Sequence, residues 1–187
     1  EQRKGDGLIN AWRDQICEGY PNLRNISDTE VVLRSFQRWG AECVNKLRGM
    51  FAIAIWDAHE QRLFLARDRF GIKPLYYALD EDGFRFASEL PALKALRTSI
   101  SVLNWQRAYD YLVHGEYDFG DGTFIEGVRS LMPGHILTLD LQSSRVQLEE
   151  WWSPCAELSV HIPFEEAALQ LRQLMLSNVR MHLRSDV

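Results

Sequence analysis

Charged side chains that can do chemistry are concentrated in one short segment, residues 67–74, which reads RDRFGIKP. Apolar runs precede and follow this segment, so it is predicted to connect two strands at a sheet edge. Arg67 and Asp68 can brace such a loop by charge-assisted hydrogen bonds, or they can contact a ligand directly. The residue types alone leave both interpretations open.

A second candidate is Asp28, which stands at the predicted start of a helix. A carboxylate there can cap its own helix, because it accepts hydrogen bonds from backbone N–H groups of the first turn. At an exposed helix end it can also hold the ammonium group of a ligand. Ser27 is the alternative cap, since Glu30 follows it at the spacing of a capping box.

Other kinds of catalytic or metal centre lack their sequence patterns here. The chain contains no Gly-x-x-x-x-Gly-Lys-Ser/Thr loop for phosphate and no Gly-x-Ser-x-Gly nucleophile elbow. The histidines are scattered, and Cys17, Cys43 and Cys155 are widely spaced, so no metal site is predicted. The acidic run at 115–122 lacks the ligand spacing of a calcium site and is interpreted as a surface loop.

Composition excludes several broad classes of protein. The chain has 187 residues, of which 46% are hydrophobic and 25% charged, as in an ordinary globular domain. Its 21 basic and 26 acidic residues give a net charge of −5, and no basic run occurs, so no nucleic-acid partner is expected. No apolar run approaches the roughly 20 residues that cross a membrane, so no membrane partner is expected. Unpaired, reduced thiols favour a cytoplasmic protein.

The elements that position these residues are predicted to be helices together with antiparallel strands. Helical apolar spacing and apolar runs broken by turn residues indicate an α+β fold. The predicted helices span residues 4–18, 27–40, 89–96, 103–114 and 164–183. The predicted strands span residues 50–56, 62–67, 75–79, 84–87, 136–141 and 146–150.

The domain organisation is predicted from a change of composition near the end of the chain. Residues 153–163 contain two prolines and few strong helix or strand formers, so they are the predicted linker. It separates a domain at 1–152 from the start of another at 164–187. The last helix carries apolar residues along one face, so it is predicted to dock on the first domain or to belong to a second one.

Several segments resemble the glutamine-hydrolysing asparagine synthetase family in order and spacing. They are SDTEVVL (27–33), LRGMFAIAIWD (47–57), LFLARDRFGIKPLYY (63–77), FASELPALKAL (86–96), SLMPGHILTLDL (130–141) and RSDV (184–187). The resemblance implies a class II glutamine amidotransferase domain with the four-layer α/β/β/α sandwich of N-terminal-nucleophile hydrolases, lacking its first strand. It also implies that the last helix opens an α/β synthetase domain.

The same resemblance implies a reaction and its ligands. In that family glutamine hydrolysis releases ammonia, and a synthetase domain adenylates aspartate before ammonia attacks it. ATP, Mg²⁺, glutamine and aspartate are therefore expected for the full-length enzyme, no cofactor is expected for this chain, and a homodimer is left open. By match, Asp28 is expected to hold the α-amino group of glutamine. The residues expected to form or brace the wall of that site are Arg67, Asp68, Gly71, Ser88 and Glu89.

The chain departs from the family at its catalytic groups. The family uses an N-terminal cysteine, with its own α-amino group as base, and an Asn-Gly-Glu segment that donates to the oxyanion. Position 1 is Glu1, no Asn-Gly-Glu occurs before residue 27, and the pyrophosphate-binding loop that follows RSDV in the family is missing. No catalytic residue is assigned, and the chain is interpreted as an internal fragment that is inactive alone. The alternatives are a non-catalytic binding or scaffold domain, and an amidotransferase-ligase for another carboxylate, as in β-lactam formation or peptide modification.

Overall fold

The computed structural model describes residues 27–81, 83–96, 102–117, 119–154 and 162–183. The predicted helix at 4–18, Cys17, Cys155, RSDV and most of the predicted linker lie outside these residues. The chain divides into two compact units, one at residues 50–153 and the other made of the segments on either side. The predicted domain bounds, 1–152 and 164–187, stay a prediction.

Two antiparallel sheets form the centre of the unit at residues 50–153. Their strands are β1 (Ala52–Asp57), β2 (Arg62–Arg67), β3 (Tyr76–Asp80), β4 (Gly83–Ala87), β5 (Val128–Ser130), β6 (His135–Asp140) and β7 (Arg145–Glu150). The first sheet has the order β1-β2-β6-β7, and the second has the order β4-β3-β5. All six predicted strands are therefore confirmed, to within two residues at each end.

The strand β5 was not predicted. Three residues are too few for an alternating pattern to stand out. The strand exists because its backbone pairs with β3, in the register Tyr76 opposite Ser130 and Ala78 opposite Val128. This pairing brings the segment around residue 130 to the β2–β3 connection, where the candidate site lies.

The two sheets share one apolar core. Its buried side chains are Leu65, Leu75, Tyr77, Leu131, Leu137 and Leu139. Each fully buried aliphatic side chain of this size contributes roughly 1.5–3 kcal/mol to folding. Since Leu65 and Leu75 lie on either side of residues 67–74, the core anchors both ends of the charged segment.

Five helices accompany the sheets in the described part of the chain, which makes the fold α+β as predicted. They are α1 (Asp28–Trp39), α2 (Cys43–Lys46), α3 (Leu90–Ala95), α4 (Trp105–His114) and α5 (Phe164–His182), with a 3₁₀ turn at Gly40–Glu42. In the 50–153 unit, α3 packs on the second sheet by burying Leu93 against Ala78 and Val128. In the other unit, the large apolar side chains of α5 that the structure describes are exposed, with Leu174 at 63%. None of the described helices is long and apolar enough to span a membrane.

Cys43 lies in α2 with no exposed surface. Burial, assisted by the neighbouring Glu42 carboxylate, raises the pKa of its thiol from 9.0 to about 11. Because the thiolate is the reactive form, we expect the native chain at pH 8 to react at Cys43 about 100-fold more slowly than the urea-unfolded chain. Peptide mass spectrometry after timed iodoacetamide labelling measures both rates at this residue. Equal rates would show that the thiol is accessible in the native chain.

Candidate functional site

The β2–β3 connection, residues 67–74, carries the predicted charged segment from the first sheet to the second. Leu75 lies immediately after it and is buried in the shared core. The backbone N–H of Leu131 donates to the carbonyl of Leu75 at 2.8 Å, which ties the end of the connection to the segment after β5. The core and this hydrogen bond therefore hold both ends of the connection without any contribution from its charged side chains.

Asp68 is the centre of this connection and is 1% exposed. Its Oδ1 accepts hydrogen bonds from the backbone N–H groups of Phe70 at 3.1 Å and Ile72 at 3.0 Å. Its Oδ2 accepts from Lys73 at 3.0 Å and from Phe51, before β1, at 3.2 Å. A carboxylate that accepts four backbone donors organises the loop around itself.

Arg67 braces the same connection from the other side. Its Nε donates to the carbonyl of Lys73 at 2.9 Å, and its Nη2 donates to that of Gly71 at 2.7 Å. Its Nη1 donates to the Ser130 hydroxyl at 2.9 Å and to the Leu131 carbonyl at 2.7 Å. The guanidinium therefore joins the end of β2, the loop and the end of β5 through protein oxygens. Its predicted place in a glutamine site stays a prediction.

Two glycines allow the backbone to close around these groups. Gly71 has a φ of +64°, and a Cβ there would lie 2.7 Å from Cγ of Pro133 and 3.0 Å from Cζ of Arg67. Gly134 has a φ of +66°, and a Cβ there would overlap the backbone carbonyl oxygen of Trp152. The Gly134 N–H donates to the Asp68 carbonyl at 2.9 Å, and this hydrogen bond holds the β2–β3 connection against the start of β6.

The outer side of the connection contacts two tryptophans that follow β7. The Arg69 guanidinium carbon lies 4.9 Å from the ring centre of Trp151, at cation–π distance. The Phe70 ring is edge-on to Trp152 at 5.1 Å, although Phe70 is 72% exposed. These contacts attach the loop to the last strand of the first sheet.

A cavity of about 240 Å³ lies beside Arg67 and Gly71, within the 50–153 unit. Its wall also includes Arg107 from α4 and Glu116 and Tyr117 from the following loop. Residues 115–117, 119 and 120 of the predicted surface loop are exposed, and 121 and 122 are half-buried, but the contribution of this loop to a cavity was missed. No periodic or motif signal marks that role, because the wall is assembled from segments far apart in the chain.

Ser88 and Glu89, predicted to lie near the same site, are both exposed between β4 and α3. Glu89 is the N-cap residue of α3, but its side chain makes no capping hydrogen bond. Neither residue belongs to the cavity wall in the described part of the chain, although the adjacent Leu90 does. The structure therefore groups Arg67, Asp68 and Gly71 closely, and places Ser88 and Glu89 outside that group.

Asp28 occupies the first turn of α1, in the other unit. The helix is capped by Ser27, whose Oγ accepts the N–H of Glu30 at 3.4 Å. The capping interpretation of Asp28 is thus wrong, since Ser27 performs that function and leaves the Asp28 side chain exposed. The role of Asp28 in holding an ammonium group stays a prediction.

Two antiparallel sheets share a core and α3 packs on the second sheet, which confirms the α+β class, and the four-layer sandwich stays a prediction. The family description that matches residues 10–152 is a glutamine amidotransferase domain. This chain belongs to the glutamine amidotransferase domain family, as the resemblance implied. Among the described residues, no group of three or more His, Cys, Asp or Glu side chains is arranged to hold a metal ion.

The chain is similar over most of its length to curated proteins of larger size. It is 32% identical over 169 residues to asparagine synthetase [glutamine-hydrolyzing] 3 of Bacillus subtilis (strain 168), covering 86% of this chain and 26% of that protein. It is 31% identical over 180 residues to amidase chyE of Penicillium rubens, covering 94% of this chain and 26% of that protein. The chain thus spans about a quarter of the length of these relatives.

A solved structure is also similar in backbone, namely the B. subtilis glutamine phosphoribosylpyrophosphate amidotransferase complexed with ADP and GMP. The TM-score is 0.48 at 22% identity, and the match covers 79% of this chain and 28% of that chain.

Proposed function

We propose that this chain is the glutamine-handling part of a glutamine-dependent asparagine synthetase-like enzyme. In the whole enzyme, glutamine hydrolysis supplies ammonia, and ATP with Mg²⁺ drives amidation of aspartate. The observation that carries the proposal is the similarity, at 30–34% identity, to three asparagine synthetases [glutamine-hydrolyzing] of B. subtilis. The amidotransferase family match over residues 10–152 supports glutamine as the nitrogen donor.

The chain's own residues supply a scaffold in this proposal. The 187-residue chain by itself is proposed not to hydrolyse glutamine, because the cysteine among its described residues, Cys43, is fully buried and burial raises the pKa of its thiol. The braced connection at 67–74 gives the domain a fixed loop in which the Arg67 and Asp68 side chains are already paired with backbone atoms. Such preorganised loops allow ligand-contacting groups to act without reorganising.

A second candidate function is amidation of a different carboxylate. It is favoured by the similarity to two proteins named as amidases, amidase chyE of P. rubens and amidase chry2 of Gibberella zeae, the latter at 28% identity over 183 residues. The glutamine-handling step is common to both candidates, and the acceptor distinguishes them.

The deciding experiment uses the natural polypeptide that contains this chain. It is incubated with glutamine labelled with ¹⁵N in the side-chain amide, ATP, Mg²⁺ and aspartate, and the products are separated by mass spectrometry. Labelled asparagine is the expected product. Release of labelled ammonia without asparagine favours the second candidate, and failure to consume glutamine overturns both.

Asp28→Asn is expected to raise the KM for glutamine of that polypeptide about 10- to 100-fold, while synthesis from added ammonium salt is unchanged. The reason is that a hydrogen bond to a charged group contributes roughly 1.5–3 kcal/mol, and glutamine's ammonium would lose its carboxylate partner. Steady-state kinetics with each nitrogen source measure the effect.

Ser27→Ala is the matched control for this variant. It removes the cap of the same helix and costs about 1 kcal/mol of stability, but it leaves the Asp28 carboxylate in place. An unchanged KM for glutamine in Asp28→Asn, or an equal rise in both variants, would remove Asp28 from the glutamine site.

A further inference from the structure

The helix α4 turns polar side chains toward its own domain and apolar side chains toward solvent. The N–H of its N-cap residue, Asn104, donates to the Phe124 carbonyl at 2.9 Å, and Nε of Arg107 donates to the Gly122 carbonyl at 3.0 Å. The Arg107 side chain is only 12% exposed. A helix on the surface of a globular domain usually has the opposite arrangement, with its apolar face on the core. The apolar side of α4 therefore does not serve the core of its own domain.

The outer side of α4 is an apolar stripe, the α4 stripe, formed by Trp105, Tyr109, Leu112 and Val113. Their spacing of four, three and one residues places them on one face of a helix, and each is between 55% and 79% exposed. At roughly 150–250 Å² for a fully buried side chain of this kind, the stripe offers a partner about 400–650 Å². An apolar patch of that size on a soluble domain generally marks an interaction site.

The order of residues along the α4 stripe makes it complementary to itself. Tyr109 is central, with the aromatic Trp105 four residues before it and the aliphatic Leu112 three residues after it, on the same side of the helix. In two antiparallel copies of α4 related by a two-fold axis near Tyr109, Trp105 of each copy lies opposite Leu112 of the other. Large side chains then meet smaller ones, which packs well, whereas a parallel pair would place Trp105 against Trp105.

We propose that the α4 stripe is the interface of a homodimer, in which two copies of this chain pack α4 against α4 in antiparallel order. Two stripes together bury about 800–1,300 Å², which brackets the roughly 1,000 Å² that a specific interface needs. The stripe contains Trp and Tyr and no charged side chain, as the cores of protein interfaces do. A contact at the small end of the range predicts a dimer that dissociates on dilution.

The first test measures association of the natural polypeptide that contains this chain, by sedimentation equilibrium from about 1 to 100 μM protein. We expect a monomer–dimer equilibrium. Leu112→Glu is expected to raise the Kd of the dimer at least about tenfold, because it places a carboxylate in each half of an apolar interface. Leu112 is exposed, so this variant is expected to fold. Leu174→Glu, at an exposed apolar position of α5, is the matched control and is expected to dimerise like the unchanged protein.

The second test locates the two-fold axis by disulfide formation in Tyr109→Cys. Packed helices lie about 8–10 Å apart, so Cα atoms that face each other at the axis come within reach of a disulfide. In the presence of oxidised glutathione, we expect the introduced cysteines of two copies to join, and peptide mass spectrometry identifies the linked peptides. Leu174→Cys is the matched control and is expected to form no disulfide between copies.

Three results would overturn the proposal. A polypeptide that is monomeric at every concentration would mean that something other than a second copy covers the α4 stripe. A dimer that survives Leu112→Glu but is lost in Leu174→Glu would place the interface on α5. Failure of Tyr109→Cys to form the disulfide would exclude antiparallel pairing of α4. Association is measured independently of the labelled glutamine products, so failure of the dimer and failure of the proposed glutamine reaction are distinguishable.

Discussion

Asp68→Ala is expected to lower the free energy of unfolding of the 50–153 unit by about 3–5 kcal/mol. The substitution leaves four backbone N–H groups without their acceptor at a position that is 1% exposed. Water cannot replace the carboxylate there without opening the connection. Urea denaturation followed by far-ultraviolet circular dichroism measures the loss.

Asp68→Asn separates charge from shape at this position. The amide has nearly the same size, but its Nδ2 would face two backbone N–H donors that now meet a carboxylate oxygen, so most of the stability loss is expected to persist. A variant as stable as the unchanged chain would show that the four hydrogen bonds do not hold the connection in place.

Asp57→Ala is the matched control for the Asp68 variants. Asp57 also accepts two backbone N–H groups, those of His59 at 2.9 Å and Glu60 at 3.0 Å, but it does so in an exposed turn after β1. Solvent can take over both hydrogen bonds, so the expected loss is about 0.5–1 kcal/mol. Equal losses of unfolding free energy in Asp57→Ala and Asp68→Ala would show that burial of the carboxylate does not increase its contribution to stability.

Local chemistry made part of this site predictable from the sequence. The cap at Ser27 follows from a capping-box spacing, and the turn before residue 75 follows from the charged, glycine-containing segment between two apolar runs. The bracing of the loop was also within reach, because Arg67 and Asp68 are the residue types that form charge-assisted hydrogen bonds. The cap and the hydrogen bonds that stay inside the loop join residues no more than six apart along the chain.

What the sequence did not reveal depends on partners far along the chain. Nη1 of Arg67 donates to residues 63 and 64 positions away, Ser130 and Leu131. Their position is set by β5, which is too short to show a period, and by its register on β3. The cavity has the same origin, since Arg107 and Tyr76 come together only after the two sheets and α4 are assembled.

At Gly71, the backbone conformation and the position of the Arg67 guanidinium depend on each other. The backbone there has a φ of +64°, a Cβ would lie 2.7 Å from Cγ of Pro133, and it would lie 3.0 Å from Cζ of Arg67. Two costs therefore combine in an alanine variant, namely left-handed backbone strain and displacement of a guanidinium that holds the loop.

Gly71→Ala is accordingly expected to lower the free energy of unfolding by about 3 kcal/mol, with roughly 1 kcal/mol from the left-handed backbone and the rest from the contacts. Gly115→Ala is the matched control, because Gly115 has a similar φ of +71° and no atom within 4 Å of its Cβ position. Its expected loss is about 1 kcal/mol. Urea denaturation of the two variants compares backbone strain alone with strain plus crowding.

A double-mutant cycle tests whether the excess loss in Gly71→Ala comes from Arg67. Ser130→Ala removes a hydroxyl that accepts from Nη1 of Arg67 at 2.9 Å, and it is expected to cost about 1 kcal/mol in the unchanged chain. If Gly71→Ala has already displaced the guanidinium, Ser130→Ala adds almost nothing in that background, and the two losses are not additive. Fully additive losses would place the strain at Pro133 instead, because Arg67 would then still reach Ser130 in the alanine variant.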